Sequence, residues 1–195
     1  MIDLTNSRAQ TTIRRTARIF GNRLVFRDVS LDDAQFILSL RRDPAKSAYL
    51  SPTSPELSAQ EEWIRSYQGS CGQAYFIICD SQMVPLGTVR LYNAIGDSFC
   101  WGSWIIKKDA PTYTSIESAL IVYSYAIDHL KFSAAHFDVN KHNQSVWAFH
   151  ERFGARRVKE GVTDFFYEID LDKILASLKR YKKYLPNPIR VEIVD

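Results

Sequence analysis

Cysteine is scarce in this chain, and long apolar runs are missing from it. Only 3 cysteines occur among 195 residues, Cys71, Cys79 and Cys100, and no two of them have C-x-x-C spacing. This pattern argues against a disulfide framework and against a zinc site, so we expect free thiols in a reducing compartment. No apolar run approaches the roughly 20 residues that span a bilayer, and the first residues lack the apolar segment of a signal peptide. The expected location is therefore the cytoplasm.

The chain also lacks a strong excess of one charge, internal repeats and low-complexity linkers. Its net charge is +3, and the basic residues are spread out apart from a cluster at residues 179–183. That balance suits a small anionic ligand and falls short of a nucleic-acid-binding surface. A length of 195 residues without a linker predicts one domain. We expect an N-terminal arm or an added strand over residues 1–22, the domain over residues 23–185 and a C-terminal tail over residues 186–195.

Hydrophobic periodicity predicts a mixed α/β domain. Runs rich in β-branched and aromatic residues predict strands at 24–29, 74–79, 84–92, 99–106, 135–139, 157–162 and 165–169. Helical spacing predicts helices beginning near residues 30, 58, 116, 143 and 171. Short polar turns join several of the strands. A largely antiparallel sheet flanked by helices is therefore expected.

The stretch from Val139 to Ala155 resembles the late motif of the GNAT superfamily of N-acetyltransferases. In that motif a strand leads to an asparagine, a helix, an aromatic pair, a charged pair and a glycine. Asn143 and Gly154 fall on the asparagine and the glycine. Residues 86–91 resemble the third strand of the family, and residues 101–106 resemble the fourth. The likeness covers about residues 24–171 and implies the GNAT fold, with a mixed, mostly antiparallel sheet in a single α/β domain.

The resemblance implies acetyl-coenzyme A as co-substrate and no metal ion. A backbone N–H at Trp104, Ile105 or Ile106 would polarise the thioester carbonyl, as it does near the end of the family's fourth strand. The cofactor-binding residues implied are Ile105, Ile106, Lys107, Thr114, Ser115 and Asn143.

The helix that begins near Ser115 would offer free N–H groups to the pyrophosphate. Residues 107–115 contain no glycine, whereas the family's pyrophosphate loop usually does. Two alternatives stay open: Thr114 and Glu117 could form a plain capping box, and Asn143 could be a plain N-cap.

His150 stands where the family usually has a tyrosine that protonates the departing thiolate. An imidazole with an ordinary pKa of about 6.5 suits that task. The alternative is a packed core residue, because Val146, His150 and Phe153 lie on one helical stripe. For the base that accepts the amine proton, the sequence offers four candidates by residue type alone: Asp138, Asp164, Glu168 and His136. Proximity of the reactants could also suffice without a base.

The acceptor-binding residues suggested by the family layout are Arg41, Arg90, Tyr92 and Trp101, although the aromatic pair could equally be core. The strands that contain Trp101 and His136 look more like the branch that acetylates nucleotide-linked amino sugars for bacterial surface polysaccharides. Arg41, Arg42 and Arg90 would suit a nucleotide diphosphate.

Two further hypotheses remain: an N-terminal or small-amine acetyltransferase, or a non-catalytic binding module whose glycine-free loop no longer holds coenzyme A. The expected partners are a small-molecule acceptor and, as an open alternative, a second copy in a homodimer. Neither nucleic acid nor a membrane is an expected partner.

Overall fold

The computed structural model describes residues 11–193, and a nine-stranded sheet forms its centre. The strands are β1 (Arg18–Phe20), β2 (Leu24–Asp28), β3 (Ala74–Asp80), β4 (Pro85–Ile95), β5 (Ser98–Ile106), β6 (Ala134–Asn140), β7 (Arg156–Glu160), β8 (Asp164–Asp170) and β9 (Arg190–Glu192). Their order across the sheet is β7-β8-β6-β5-β4-β3-β2-β1-β9. Every neighbouring pair is antiparallel except β5 and β6, which are parallel. The predicted mixed, mostly antiparallel α/β fold is confirmed.

Six α-helices connect or flank the strands of the described chain. They are α1 (Ala34–Arg41), α2 (Pro44–Ser47), α3 (Leu57–Gln68), α4 (Tyr113–Ser124), α5 (Gln144–Arg152) and α6 (Leu171–Arg180). A 3-10 turn over Leu31–Asp33 leads into α1, and a π-helical turn over Tyr125–His129 extends α4. Ser30 and Asp33 form the capping box that the sequence predicts at the first of these helical segments.

Helices cover both faces of the sheet, and β3 shows this most directly. Six successive residues of β3 are buried, which is typical of a strand covered on both sides. Phe76 and Ile78 belong to the large cluster that contains α4, whereas Tyr75 and Ile77 pack against residues of α1 and α3. The two clusters lie on opposite sides of one sheet and hold it in a single domain.

Strands β1 and β9 lie in the segments expected to be an arm and an irregular tail. Ile19 of β1 is fully buried, and β1 pairs with both β2 and β9. β1 confirms the alternative of an added strand, whereas β9 was not predicted, because three residues are too few to show an alternating pattern. The rest of the expected arm, residues 1–10, and the end of the tail, residues 194–195, lie outside the described residues. The last helix, α6, ends at Arg180, and a turn over residues 181–184 follows it.

Glu117 anchors the turn between β1 and β2 to α4. Its buried carboxylate accepts backbone N–H groups from Asn22, Arg23 and Leu24 at 2.8, 2.6 and 2.9 Å. The capping-box alternative for Glu117 and Thr114 is therefore wrong. Glu117 points into the core, and no side chain caps the first turn of α4. As a result, the Glu117 side chain does not occupy the N–H groups at the start of α4.

Removing the Glu117 carboxylate should strongly destabilise the fold. Glu117→Ala leaves three N–H groups without their acceptor, that of Leu24 buried and those of Asn22 and Arg23 partly buried, so we expect a loss of about 3 kcal/mol in the free energy of unfolding. Glu117→Gln keeps one acceptor oxygen and should lose less. Urea denaturation measures both, with Glu168→Ala on the exposed face of β8 as control. A loss below about 1 kcal/mol for Glu117→Ala would contradict this role.

Candidate active site

A gap opens between β5 and β6 where their parallel pairing ends. The two strands pair only from Ser98 to Cys100 on β5 and from Ala134 to His136 on β6. Beyond that point β5 continues beside β4 to Ile106, while β6 continues beside β8 to Asn140. Residue patterns alone do not indicate this separation. It leaves the facing edges of β5 and β6 unpaired with each other beyond these residues.

A bulge in β5 shapes one side of the gap. Thr88 pairs with Ile105 and Arg90 pairs with Gly102, so β5 contains one extra residue between these pairs. Ser103 within the bulge has a φ of 46°, and its carbonyl oxygen accepts the Thr88 hydroxyl at 2.7 Å. A lone glycine inside a strand, here Gly102, is the sequence signal that could have indicated the bulge.

Beyond the bulge, the backbone of β5 directs an amide toward the gap. Lys107 N donates to Leu86 O at 2.8 Å, so Lys107 and Leu86 form a hydrogen-bonded pair between the end of β5 and β4. Antiparallel ladders alternate, and the adjacent pair of Ile106 with Gly87 is therefore the non-hydrogen-bonded kind. The N–H of Ile106 consequently points away from β4, toward the gap. Any Cβ on Gly87 would meet the Ile105 carbonyl oxygen and come within 3.1 Å of Ile106 Cα, so glycine keeps this part of β5 in place.

Aromatic rings surround His150 at the base of the gap. Its ring centroid lies 4.1 Å from Phe137, 5.1 Å from Trp101 and 6.0 Å from Trp104. His150 is 4% exposed, and its Nδ1 atom has no hydrogen-bond partner among the described residues. Burial lowers its pKa to about 3, so the imidazole is neutral at pH 7. His150 is therefore a packed core residue that also borders the gap, and its role as proton donor stays a prediction.

Three adjoining cavities run along this region. The gap cavity, about 340 Å³, lies between β5 and β6 and is bordered by Tyr92, Gly102, Asp138, Asn140, His150 and Asp164 among others. The helix-end cavity, about 300 Å³, lies beside α4 and α5 and is bordered by Trp104, Ile105, Ile106, Ser115, Asn143 and Phe149. The arginine cavity, about 280 Å³, is bordered by Arg41, Thr53, Trp63, Tyr75, Arg90 and Ser103. Each cavity shares lining residues with the gap cavity, so the three form one continuous groove.

The helix-end cavity brings together most of the predicted cofactor-binding residues. Ser115 lies in the first turn of α4, and Asn143 precedes α5 without capping it through its side chain. Lys107 lies at the end of β5 and is paired with Asp109 at 3.5 Å. The prediction for Thr114 requires correction, because Thr114 is fully buried and its hydroxyl faces the core instead of this cavity.

The arginine cavity holds two guanidinium groups without acidic partners. Arg41 donates to Thr53 Oγ1 at 2.8 Å and to Ser51 Oγ at 2.9 Å. Arg90 donates to Gln73 Oε1 at 2.8 Å and lies 5.2 Å from the ring centre of Trp63. Over residues 11–193, neither guanidinium forms a salt bridge. The cavity is therefore electropositive.

The other predicted acceptor residues divide between cavity and core. Tyr92 is half-buried and borders the gap cavity, where its hydroxyl would lie 3.0 Å from any Cβ on Gly102. Trp101 also borders it but is only 3% exposed and packs edge-on against Tyr123 at 5.6 Å. The structure thus places Trp101 mainly in the core. Arg42 is exposed and lines none of the three cavities.

Across residues 11–193 no group of three or more His, Cys, Asp or Glu side chains is placed to hold a metal ion. Within the same range, no helix is long and apolar enough to cross a membrane.

The low pKa of His150 predicts a loss of stability in mild acid. Its folded pKa of about 3 lies below its unfolded value of about 6.5, so the unfolded chain binds more protons as the pH falls. The contribution of His150 to the free energy of unfolding is therefore fully present above about pH 6.5 and declines as the pH falls below that value. Between pH 7.5 and pH 5 the loss should be about 2 kcal/mol, and His150→Phe should abolish it. Urea denaturation at both pH values tests this, and an unchanged pH dependence in the variant would contradict it.

Comparison with known proteins places this groove in a family. A family profile described as an acetyltransferase (GNAT) domain matches residues 23–156. FdhC, whose structure is described as a nucleotide-linked sugar GNAT, is 35% identical, with a TM-score of 0.76 over 86% of this chain and 98% of FdhC. No curated protein sequence matches the chain.

More distant structures share the fold alone. Spermidine N-acetyltransferase from Vibrio cholerae, solved with coenzyme A and spermine, is 18% identical, with a TM-score of 0.69 over 78% of this chain and 98% of its own. A probable GNAT acetyltransferase from Chromobacterium violaceum is 13% identical, with a TM-score of 0.74 over 89% and 96% of the two chains. The profile match and the likeness to FdhC together show that this chain belongs to the GNAT acetyltransferase family and is an acyltransferase.

Proposed function

We propose that this protein transfers an acetyl group from acetyl-coenzyme A to the amino group of a nucleotide-linked amino sugar. The transfer is direct, in a ternary complex, and serves the synthesis of bacterial surface polysaccharide in the cytoplasm. The observation that carries the choice of acceptor is the arginine cavity. Its two guanidinium groups have no carboxylate partner among the described residues, and guanidinium groups suit the oxygens of a diphosphate.

The helix-end cavity fits coenzyme A despite the glycine-free loop. The first turn of α4 has no side-chain cap that would compete with a pyrophosphate for its N–H groups, of which that of Thr114 donates to Pro111 O at 2.9 Å. Ser115 adds a hydroxyl on the cavity wall, and Asn143 adds an amide at the opposite side. The loop before α4 needs no glycine for this role, because Glu117 points into the core and the start of α4 has no side-chain cap. When bound, acetyl-coenzyme A supplies a thioester carbon for attack by an amine.

The chain's own contribution to the reaction is positioning and polarisation. The backbone N–H of Ile106, at the edge of the gap, would donate to the thioester oxygen, with the amides of Trp104 and Ile105 as the neighbouring candidates. A preorganised donor of this kind is worth about 3 kcal/mol. His150 enters as a neutral imidazole that borders the gap, because its low pKa leaves no imidazolium acid at pH 7. Solvent in the open cavity then protonates the thiolate.

The acceptor would lie across the arginine cavity and the gap cavity. Its phosphates would contact Arg41 and Arg90, and the exposed ring of Trp63 offers a face for the nucleobase. Its amine would reach the gap beside Tyr92. The likeness to FdhC at 35% identity supports this acceptor class. A polyamine, the acceptor of the distant Vibrio cholerae relative, would instead meet unpaired positive charge in the arginine cavity.

A negative charge at the start of α4 should weaken cofactor binding. Ser115→Glu places a carboxylate where the pyrophosphate would lie, so we expect coenzyme A affinity to fall at least tenfold, or about 1.4 kcal/mol. Isothermal titration calorimetry measures it, with Ser58→Glu in the exposed first turn of α3, outside all three cavities, as a matched control. A change below twofold for Ser115→Glu would overturn the placement of the pyrophosphate.

Neutralising Arg90 should weaken binding of an anionic acceptor alone. We expect Arg90→Gln to raise KM at least tenfold for UDP- or dTDP-linked amino hexoses, a loss of about 1.4 kcal/mol, while KM for spermidine does not rise, because the variant removes a charge that repels a polyamine. Arg65→Gln, on the exposed side of α3, is the control. Steady-state kinetics with a thiol-detection assay measures both. Turnover of spermidine but of no nucleotide-linked sugar by the unaltered protein would favour the small-amine hypothesis instead.

A further inference from the structure

Two carboxylates share one face of the sheet at the edge of the gap. Asp138 on β6 pairs with Phe166 on β8, and Asn140 pairs with Asp164. Paired residues lie on the same face and alternate residues return to it, so Asp138 and Asp164 lie diagonally across the two strands. Both border the gap cavity. This is the sheet face that also carries Tyr92 and Gly102, by the register across β4 and β5.

The pair has no neutralising partner over residues 11–193. Neither Asp138 nor Asp164 forms a salt bridge there, and Asp164 accepts only the neighbouring hydroxyl of Thr163. Partial desolvation and the charge of Asp164 raise the pKa of Asp138, and the nearby His136 lowers it. An unpaired carboxylate whose pKa lies above its ordinary value is suited to accept a proton from a bound ammonium group.

The surroundings of Asp138 contain few other titratable groups. His136, two residues away on β6, contacts Ser98 through Nδ1 at 2.8 Å, and burial lowers its pKa, so it adds little positive charge. The titratable or charged side chains around Asp138 or across the cavity from it are Asp164, His136, His150, Tyr49, Tyr92, Cys100 and Arg41. Burial raises the pKa of Cys100 to about 11, and burial also raises the pKa of Tyr92 above its ordinary value. Both side chains are therefore neutral at pH 7.

We propose that Asp138 is the general base of the reaction and that Asp164 helps it to attract the ammonium form of the acceptor. This inference rests on the proposed amine acetylation but not on the acceptor being a sugar. Asp138 takes one proton from the ammonium group, which leaves a neutral amine with a free electron pair. The amine nitrogen then bonds to the acetyl carbon, the carbon–sulfur bond breaks, and sulfur leaves with the bonding pair. The nitrogen releases its second proton to solvent, and solvent returns one proton to the thiolate.

The groove has a negative pole, the carboxylates of the gap cavity, and a positive pole, the guanidinium groups of the arginine cavity. An amino sugar linked to a nucleotide is positive at its amine and negative at its diphosphate. The carboxylates of the gap cavity and the guanidinium groups of the arginine cavity match these charges, and the two cavities share Arg41, Ser51 and Ser103 as lining residues. Arg41 therefore borders both poles. Asp138 lies on the gap side of the groove, where the cofactor thioester would also be.

The test is the pH profile of Asp138→Asn. We expect kcat/KM to fall at least tenfold at pH 7 and to recover by more than half of that loss, on a logarithmic scale, by pH 9.5. Solvent can deprotonate the amine at high pH without a base. Asp164→Asn should mainly raise KM. Glu168→Gln is the matched control, because Glu168 lies on the same face of β8, outside the gap cavity, beside Arg156.

Two probes keep the inference separate from the proposed acceptor. The assays use a dTDP-linked amino hexose and spermidine, and coenzyme A affinity measured by calorimetry verifies that each variant is folded. A loss below twofold, or a loss that is equal from pH 6 to pH 9.5, would overturn the role of Asp138. If the unaltered protein acetylates spermidine alone, the sugar proposal fails while the pH profile with spermidine still decides the role of Asp138. Inactivity with both amines would overturn both proposals.

Discussion

The early end of the parallel ladder between β5 and β6 is the constraint on which the site depends. Had pairing continued past Cys100 and His136, the amide of Ile106 would be bound to a neighbouring strand and the gap would be closed. The bulge at Ser103 turns β5 aside, and the rings around His150 occupy the space below the opening. Since both the gap cavity and the helix-end cavity border this opening, the proposed chemistry requires the strands to separate here.

A second constraint is electrostatic and divides the groove into two poles. Arg41 and Arg90 leave positive charge unpaired in one cavity, while Asp138 and Asp164 leave negative charge unpaired in the adjoining one. Unpaired charges in half-enclosed cavities reduce folding stability, so they are informative about ligands. A molecule that carries both a diphosphate and an amine satisfies both poles, whereas a polyamine satisfies only one.

Much of the fold could be predicted from the sequence because long elements have clear periodicity. All seven predicted strands and the five predicted longer helices occur, with ends shifted by a few residues. The short edge strand β9 could not be predicted and its neighbour β1 only as an alternative, because three residues show no period and their mutual pairing is non-local. The inward turn of Glu117 was equally inaccessible, since its partners are about 95 residues away in the chain.

The candidate site was harder to predict than the fold. Residue types and family likeness pointed to Ser115, Asn143 and Arg90, and all three line the groove. Burial separates Thr114 from that set, and sequence patterns do not report which way a residue of a nearly all-apolar helix faces. The neutral state of His150 likewise follows from its aromatic surroundings, which come from three separate elements.

A crystal structure of the protein with coenzyme A and a dTDP-linked amino hexose tests the central claim most directly. The account predicts the pyrophosphate of coenzyme A at the first turn of α4 and its thiol in the gap between β5 and β6. It also predicts the sugar nucleotide on the opposite side, with phosphates on Arg41 and Arg90 and the amine beside Asp138. Coenzyme A bound outside the gap, or sugar phosphates placed away from both arginines, would contradict it.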